Sequence, residues 1–314
     1  MTDKNRNLTV RIVTALVLLP LVLYLVWLGG FFFALLLALA AGLCALELNL
    51  LPAQLPVLPA PADDADGLSR KQRKKLAHAV EEEIEELETE SAVVTGAAIA
   101  SIGGAFLMPL VHAQEVRLDF LTPERLIVAV VAVAFADALF FEESIPNVPR
   151  RVGMAVLGVV YPGLMISALV ELRELERGAF WVLLTIVVTW LNDTGAYFTG
   201  RAFGRRRLYE RISPSKTWEG AIGGAVASVA GALIVHHFWL ADALPVWGAV
   251  LIGLGGAVLG PIGDLSESML KRAFGAKDSG RLLPGHGGML DRIDALLFTA
   301  PFVLLCARLL ATPR

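Results

Sequence analysis

The chain has 314 residues, 56% of them hydrophobic, with a mean hydropathy of +0.64 and a formal net charge of −3 at pH 7. A water-soluble domain rarely reaches that apolar content, so a soluble globular class is excluded, and repeated apolar runs near twenty residues read as membrane-crossing helices. The net charge says little by itself, because distribution matters more than sum in a membrane protein, and no nucleic-acid partner is expected. The two cysteines, Cys44 and Cys306, sit inside apolar runs and read as small core residues rather than a disulfide or metal pair.

In chain order the apolar pattern predicts spans at 8–28, 31–50, 92–113, 125–141, 152–170, 179–199, 219–240, 243–270 and 289–310. The expected fold is an all-α, polytopic integral membrane protein of about nine transmembrane helices. The first run is long enough to span and no small-residue cleavage site follows it, so no cleavable signal peptide is expected. With the N-terminus cytoplasmic, 21 of the 27 Lys and Arg fall on the cytoplasmic side, as the positive-inside rule requires. The chain divides into N-terminal helices 1–50, a linker with a charged helix at 51–91, and a membrane domain 92–314 that carries the candidate site. Within 51–91 a Pro- and Ala-rich stretch precedes a basic-then-acidic segment whose Leu76, Val80, Ile84 and Leu87 recur at helical spacing. It reads as a solvated surface helix.

In that topology Glu47, Asp137, Asp193, Asp264, Asp291 and Asp294 all fall near the cytoplasmic ends of their spans. A charge within a span is costly and marks function by default. For Glu47 and Asp137 a helix-end or interhelical hydrogen-bonding role is expected.

Span six ends in WLNDTGAYFTGRAFGRRR, where Asn192 and Asp193 precede an arginine cluster. The next loop, RISPSKTWEG, supplies Ser213, Ser215, Lys216 and Thr217 at a helix start, a place suited to phosphates. No G-x-x-x-x-G-K-[ST] occurs, which excludes a P-loop. A Gly-Pro pair at 260–261 is expected to break span eight.

The densest chemistry lies at 263–294, GDLSESMLKRAFGAKDSGRLLPGHGGMLDRID. On a helix Asp264, Ser268, Glu267 and Lys271 share one face, and Asp291 and Asp294 share another. Two carboxylate-bearing helix ends joined by a basic loop suit Mg²⁺, which takes one or two carboxylates and completes its octahedron with water and phosphate. Pro284, Gly285, Gly287 and Gly288 are expected to leave backbone N–H groups open as an anion site, with Lys271, Arg272, Lys277 and Arg292 adding positive charge. His286 reads equally as a phosphate contact and as a loop-stabilising hydrogen bond. His78, His112, His236 and His237 lack ligand-like spacing and read as interfacial. The many glycines, Gly220, Gly223, Gly224 and Gly231 among them, read as close helix packing.

The pattern Ser268-x-x-Lys271-Arg272, then Lys277-Asp278, then Pro284-x-His286-Gly287-Gly288-x-x-Asp291-Arg292-x-Asp294 resembles the signature of the phosphatidate cytidylyltransferases, the CDP-diacylglycerol synthases. The N-D-x-x-A-Y and S-P-x-K-T-x-E-G segments at 192 and 213 resemble the same family, and the likeness runs from about residue 150 to 310. It implies transfer of the cytidylyl group of CTP to phosphatidate with release of pyrophosphate, in a multi-pass inner-membrane protein whose site faces the cytoplasm. It further implies Asp264, Lys271, Arg272, Asp291 and Asp294 as catalytic residues. Asn192, Asp193, Ser213, Lys216, Thr217, Ser268, Lys277, Asp278, His286 and Arg292 are the implied substrate-binding set. Asp264 and Asp291 would hold Mg²⁺, with Asp193 and Asp294 completing a second cation site or orienting the first. A homodimer is a family-level expectation. The rival readings are another CTP-using membrane lipid kinase or transferase, a transporter with intramembrane carboxylates, and a non-catalytic scaffold.

Overall fold

The computed structural model describes residues 20–51, 95–116, 120–142, 144–280 and 287–311. The expected span 8–28 lies outside this set before residue 20, and of the 51–91 segment only Leu51 falls within it.

Helical residues 20–28 lead into α1 (Gly30–Leu50), followed by α2 (Gly96–His112), α3 (Pro123–Phe141), α4 (Val148–Gly158), α5 (Met165–Glu174), α6 (Gly178–Phe203), α7 (Trp218–Val235), α8 (Val246–Ala273) and α9 (Leu290–Leu310). Six segments among the described residues are long and apolar enough to cross a membrane: Gly30–Leu50, Ile145–Glu174, Gly178–Phe203, Trp218–Leu240, Val246–Ala273 and Leu290–Leu310. The protein is therefore a helical, multi-pass membrane protein. Helix α2 is apolar but only 17 residues long; α3, at 19 residues, carries Glu124, Arg125 and Asp137.

Local chemistry explains where helices begin. Thr95, Thr122 and Thr217 each precede a helix in extended backbone and accept a hydrogen bond from the N–H three residues on, at 3.1, 3.3 and 3.1 Å. Each thereby satisfies an amide that the helix itself leaves unpaired. Small side chains let the helices approach. Ala34, Ala38, Ala41 and Ala45 form a fully buried stripe along α1. Cys44 and Cys306 are buried and unpaired with each other, as expected.

Three features depart from the sequence expectation. Helix α8 is continuous through Gly260 and Pro261. Proline is tolerated inside a membrane helix because its neighbours re-satisfy or cover the freed backbone. The irregular turn lies instead between α4 and α5, a π-helical stretch Val159–Leu164 containing Pro162. Second, within the all-α architecture a short strand pair appears that the apolar pattern did not announce. Strands β1 (Arg207–Tyr209) and β2 (Ser213–Thr217) form an antiparallel ribbon with Arg207 opposite Thr217 and Tyr209 opposite Ser213. Third, His236 is buried, and its Nε2 meets the Leu244 carbonyl at 2.8 Å in the turn after α7. Its ring serves that turn and is not at the protein surface.

Helices α8 and α9 meet where the site lies. A Cβ on Gly263 would stand 2.5 Å from the Asp294 carbonyl oxygen and 3.1 Å from the Ala295 Cα. Gly263→Ala should therefore separate the two helices, cost about 1–3 kcal/mol and lower the melting temperature in detergent. Gly103→Ala, with nothing within 4 Å of the new methyl, should leave it unchanged.

Candidate functional site

The end of α8, the turn after it and the start of α9 bring ionisable side chains into two adjoining groups. In the inner group Lys271 is buried, and its Nζ donates to Glu267 Oε2 and to Asp291 Oδ1, both at 2.5 Å. Asp291 Oδ2 accepts from the N–H of Ser279 at 3.1 Å, its Oγ at 3.1 Å and the N–H of Gly288 at 3.0 Å. Glu267 Oε1 is buried without a hydrogen-bond partner.

Glu47, from α1, completes this group. It is 2% exposed, and it accepts from Met289 N at 2.8 Å, Leu290 N at 2.9 Å and Ser279 Oγ at 2.8 Å. Of the anion site expected at 284–288, only Gly287 and Gly288 are described, and the N–H of Gly288 is taken by Asp291 while Glu47 takes the next two amides. Gly288 is obligatory there, since a Cβ would lie 1.9 Å from Ser279 Oγ and 2.5 Å from Glu47 Oε2. Gly287 adopts φ +81°, a left-handed conformation that favours glycine. The helix-end role expected of Glu47 is what the structure shows, and Asp137 is likewise interhelical. Its Oδ1 accepts from Gly96 N at 2.9 Å and its Oδ2 pairs with Arg151 at 2.7 Å.

The outer group is more open. Lys216 Nζ, on β2, meets Asp264 Oδ2 at 2.5 Å. Ser268 Oγ donates to Asp264 Oδ1 at 3.4 Å. Asp193, Asp264 and Asp294 interact electrostatically with one another, and Lys216 acts on Asp193 and Asp294 as well. Asn192 is buried beside them, and its Oδ1 has no hydrogen-bond partner. A Cβ on Gly260, one turn before Asp264, would stand 3.4 Å from its Nδ2.

The remaining predicted residues are dispersed. Thr217 Oγ1 caps α7. Ser213 begins β2. Arg272 is exposed, and its Nη1 donates to the Ala276 carbonyl at 3.1 Å, closing the end of α8. Lys277, Asp278 and Arg292 are exposed. His286, with Pro284 and Gly285, lies outside the described residues. Sequence reasoning did not reach Ser279 or Tyr161. Tyr161 is buried on the π-helical turn with an unpartnered hydroxyl, in the electrostatic range of Asp294, Glu267 and Asp264. The only signal for it was Pro162-Gly163 interrupting an apolar run.

No three or more His, Cys, Asp or Glu among the described residues form a metal cage by themselves. The outer group nevertheless fits a hard cation, since its donors are carboxylates with neither thiol nor imidazole. Mg²⁺ needs only one or two such ligands.

A family model described as the cytidylyltransferase family matches residues 77–310. Over 162 residues the chain is 46% identical to a phosphatidate cytidylyltransferase of Brucella suis biovar 1 (strain 1330), covering 51% of this chain and 59% of that protein. The corresponding enzyme of Bacillus subtilis (strain 168) is 44% identical over 156 residues, covering 49% and 57%. That of Haemophilus influenzae (strain ATCC 51907 / DSM 11121 / KW20 / Rd) is 44% identical over 129 residues, covering 40% and 45%. The chain thus matches about half the length of these relatives.

Two substitutions test the inner group. Lys271→Met leaves two carboxylates facing each other without their cation. It should destabilise the protein by about 3–5 kcal/mol, the usual consequence of breaking a buried ion pair. Arg272→Met should leave the melting temperature within a degree or two of the parent, as is usual for a surface change. Glu47→Ala strands two amides at the head of α9 and should cost about 1–3 kcal/mol for each left unsatisfied.

Proposed function

The chain belongs to the cytidylyltransferase family, and we propose that it transfers the cytidylyl group of CTP to phosphatidate, giving CDP-diacylglycerol and pyrophosphate. One observation carries this reading. The S-P-x-K-T-x-E-G segment and the C-terminal charged signature, far apart in the chain, meet in the Lys216–Asp264 contact. A chance likeness in either segment would not require that contact.

In the proposed reaction a phosphate oxygen of phosphatidate attacks the α-phosphorus of CTP, and the bond to the β-phosphate oxygen breaks as pyrophosphate leaves. The nucleophile is already an anion, so positioning and charge neutralisation dominate over proton transfer. Lys216 supplies a cation held by Asp264 and free to shift toward phosphate. Asp264, with Asp193 and Asp294 beside it, is the set that would hold Mg²⁺, and the bound ion would neutralise phosphate charge. Asp291 Oδ1 accepts from Lys271, and its second lone pair is where Asp291 would join that set. Its present hydrogen bonds support a role in fixing α9 against α8. Arg272, Lys277 and Arg292, exposed around the same end of the bundle, would meet nucleotide phosphates, with Asp278 orienting these cations or contacting the nucleotide, and all four are assigned to substrate binding.

The lysine and arginine distribution supports a cytoplasmic N-terminus, about nine crossings and a site opening to the cytoplasm, where CTP is available. A bacterial inner-membrane location follows by analogy with the relatives.

The test is transfer from radiolabelled CTP to phosphatidate by purified protein in detergent, first with Mg²⁺ and then with EDTA. Labelled lipid with matching pyrophosphate, lost in EDTA, is the expected result. Asp264→Asn should lower turnover about 100-fold or more while the melting temperature holds, because Asp264 is half-exposed. No labelling from folded protein across several lipid acceptors would overturn the reading.

A further inference from the structure

The ribbon between α6 and α7 carries more positive charge than the reaction site uses. From Arg201 to Glu219 six cations stand against two carboxylates. Lys216 pairs with Asp264, and Arg201 Nη1 donates to the Tyr197 hydroxyl at 2.9 Å. Arg205 and Arg206 are exposed and form no ion pair among the described residues. They line a groove of about 520 Å³ together with Trp218, Glu219 and Ile222. That volume falls in the range of small-molecule sites.

The groove has a fixed backbone. Glu219 Oε2 accepts from the N–H groups of both Arg205 and Arg206, at 3.0 and 3.2 Å, and Trp218 N donates to the Arg206 carbonyl at 3.0 Å. The two guanidinium groups therefore leave neighbouring points of a rigid edge.

Below that edge the surface turns apolar. Trp218, Ile222 and Val226 lie four residues apart on one face of α7 and are 55%, 64% and 67% exposed. Tryptophan at the head of a membrane helix belongs at the lipid–water boundary. A ligand matching this surface has a phosphate at one end, suited to arginine forks, and hydrocarbon at the other. A free nucleotide leaves the stripe unmatched.

We propose that this groove is a docking site for phosphatidate. Its phosphomonoester lies on Arg205 and Arg206, and an acyl chain lies along Trp218, Ile222 and Val226. From there the headgroup passes to Lys216, on the same ribbon, and its partner Asp264 on α8. The proposal rests on the reading above for its substrate, but its binding step does not need turnover.

The experiment uses the full chain in nanodiscs and a photo-crosslinkable phosphatidate, compared with the Arg205→Gln/Arg206→Gln double variant. In the parent protein, labelling should map to residues 205–226 and be competed by phosphatidate. Phosphatidylglycerol, a singly charged diester, should compete at least about fivefold less well, and CTP and inorganic phosphate not at all. The variant should lose most of this labelling. Its KM for phosphatidate should rise about tenfold, the equivalent of one charge-assisted hydrogen bond, with kcat at saturating lipid and KM for CTP unchanged. Labelling elsewhere, equal competition by phosphatidylglycerol, or a change in KM for CTP alone would overturn the proposal. If the parent protein labels here yet transfers no cytidylyl group, the reaction is wrong and the groove stands. If it transfers normally and does not label here, the reverse holds.

Discussion

The architecture of the site depends on a buried carboxylate, Glu47, from the helix most distant in sequence. Helix α9 begins within the protein, where no water is at hand to satisfy its first amides. Glu47 meets two of them and the hydroxyl of Ser279, and Asp291 reaches back to Gly288 and Ser279. The turn after α8 is thus tied to the head of α9 through side chains from both ends of the chain. With that tie in place, Lys271 is enclosed between Glu267 and Asp291.

The division of charge between the two groups follows from what each must do. Charges in a low-dielectric interior are stable only with short, well-aligned partners, and removing one partner is costly. The inner group meets that condition for Lys271 and Asp291, whose contacts are direct. In the outer group the Lys216–Asp264 contact meets it too. Asp193, Asp264 and Asp294 also act electrostatically on one another, and Lys216 acts on all three. Three mutually repelling carboxylates around one lysine make poorer scaffolding than the inner group. Residues that look alike in the motif therefore differ in their partners: Asp291 holds Lys271, Ser279 and Gly288, and Asp264 holds Lys216 and Ser268.

What could be read from the sequence was what rests on local physics. From the second onward the apolar runs matched the described helices to within a few residues, because a bilayer imposes length and composition on every crossing. Thr217 stood at an expected helix start, but as a phosphate contact; that it caps α7, as Thr95 and Thr122 cap α2 and α3, came from the structure. The failures were of context. Gly260-Pro261 looked like a break, yet α8 runs through it uninterrupted, while Pro162-Gly163 does mark a π-helical turn. The glycines before α9 looked like an open phosphate nest. Nothing local says that a residue some 240 positions earlier takes the two amides after Gly288. The partners of Lys271 and Lys216 were equally invisible, since one faces inward and the other crosses to a different helix only in the folded chain.

The ribbon shows why an otherwise helical protein interrupts itself at this point. Consecutive residues on a strand point to opposite sides, so Thr217 can turn inward to cap α7 while its neighbour Lys216 reaches Asp264. Had α7 begun a turn earlier, both residues would lie on the helix wall, about 100° apart, and the cap would be lost. Pairing with β1 fixes the register, with Arg207 opposite Thr217. Residues 205 and 206 then fall beside Trp218 and Glu219. One short hairpin thus sets a helix start, a lysine at the carboxylates and an arginine pair beside Trp218, and none of the three can move independently of the others.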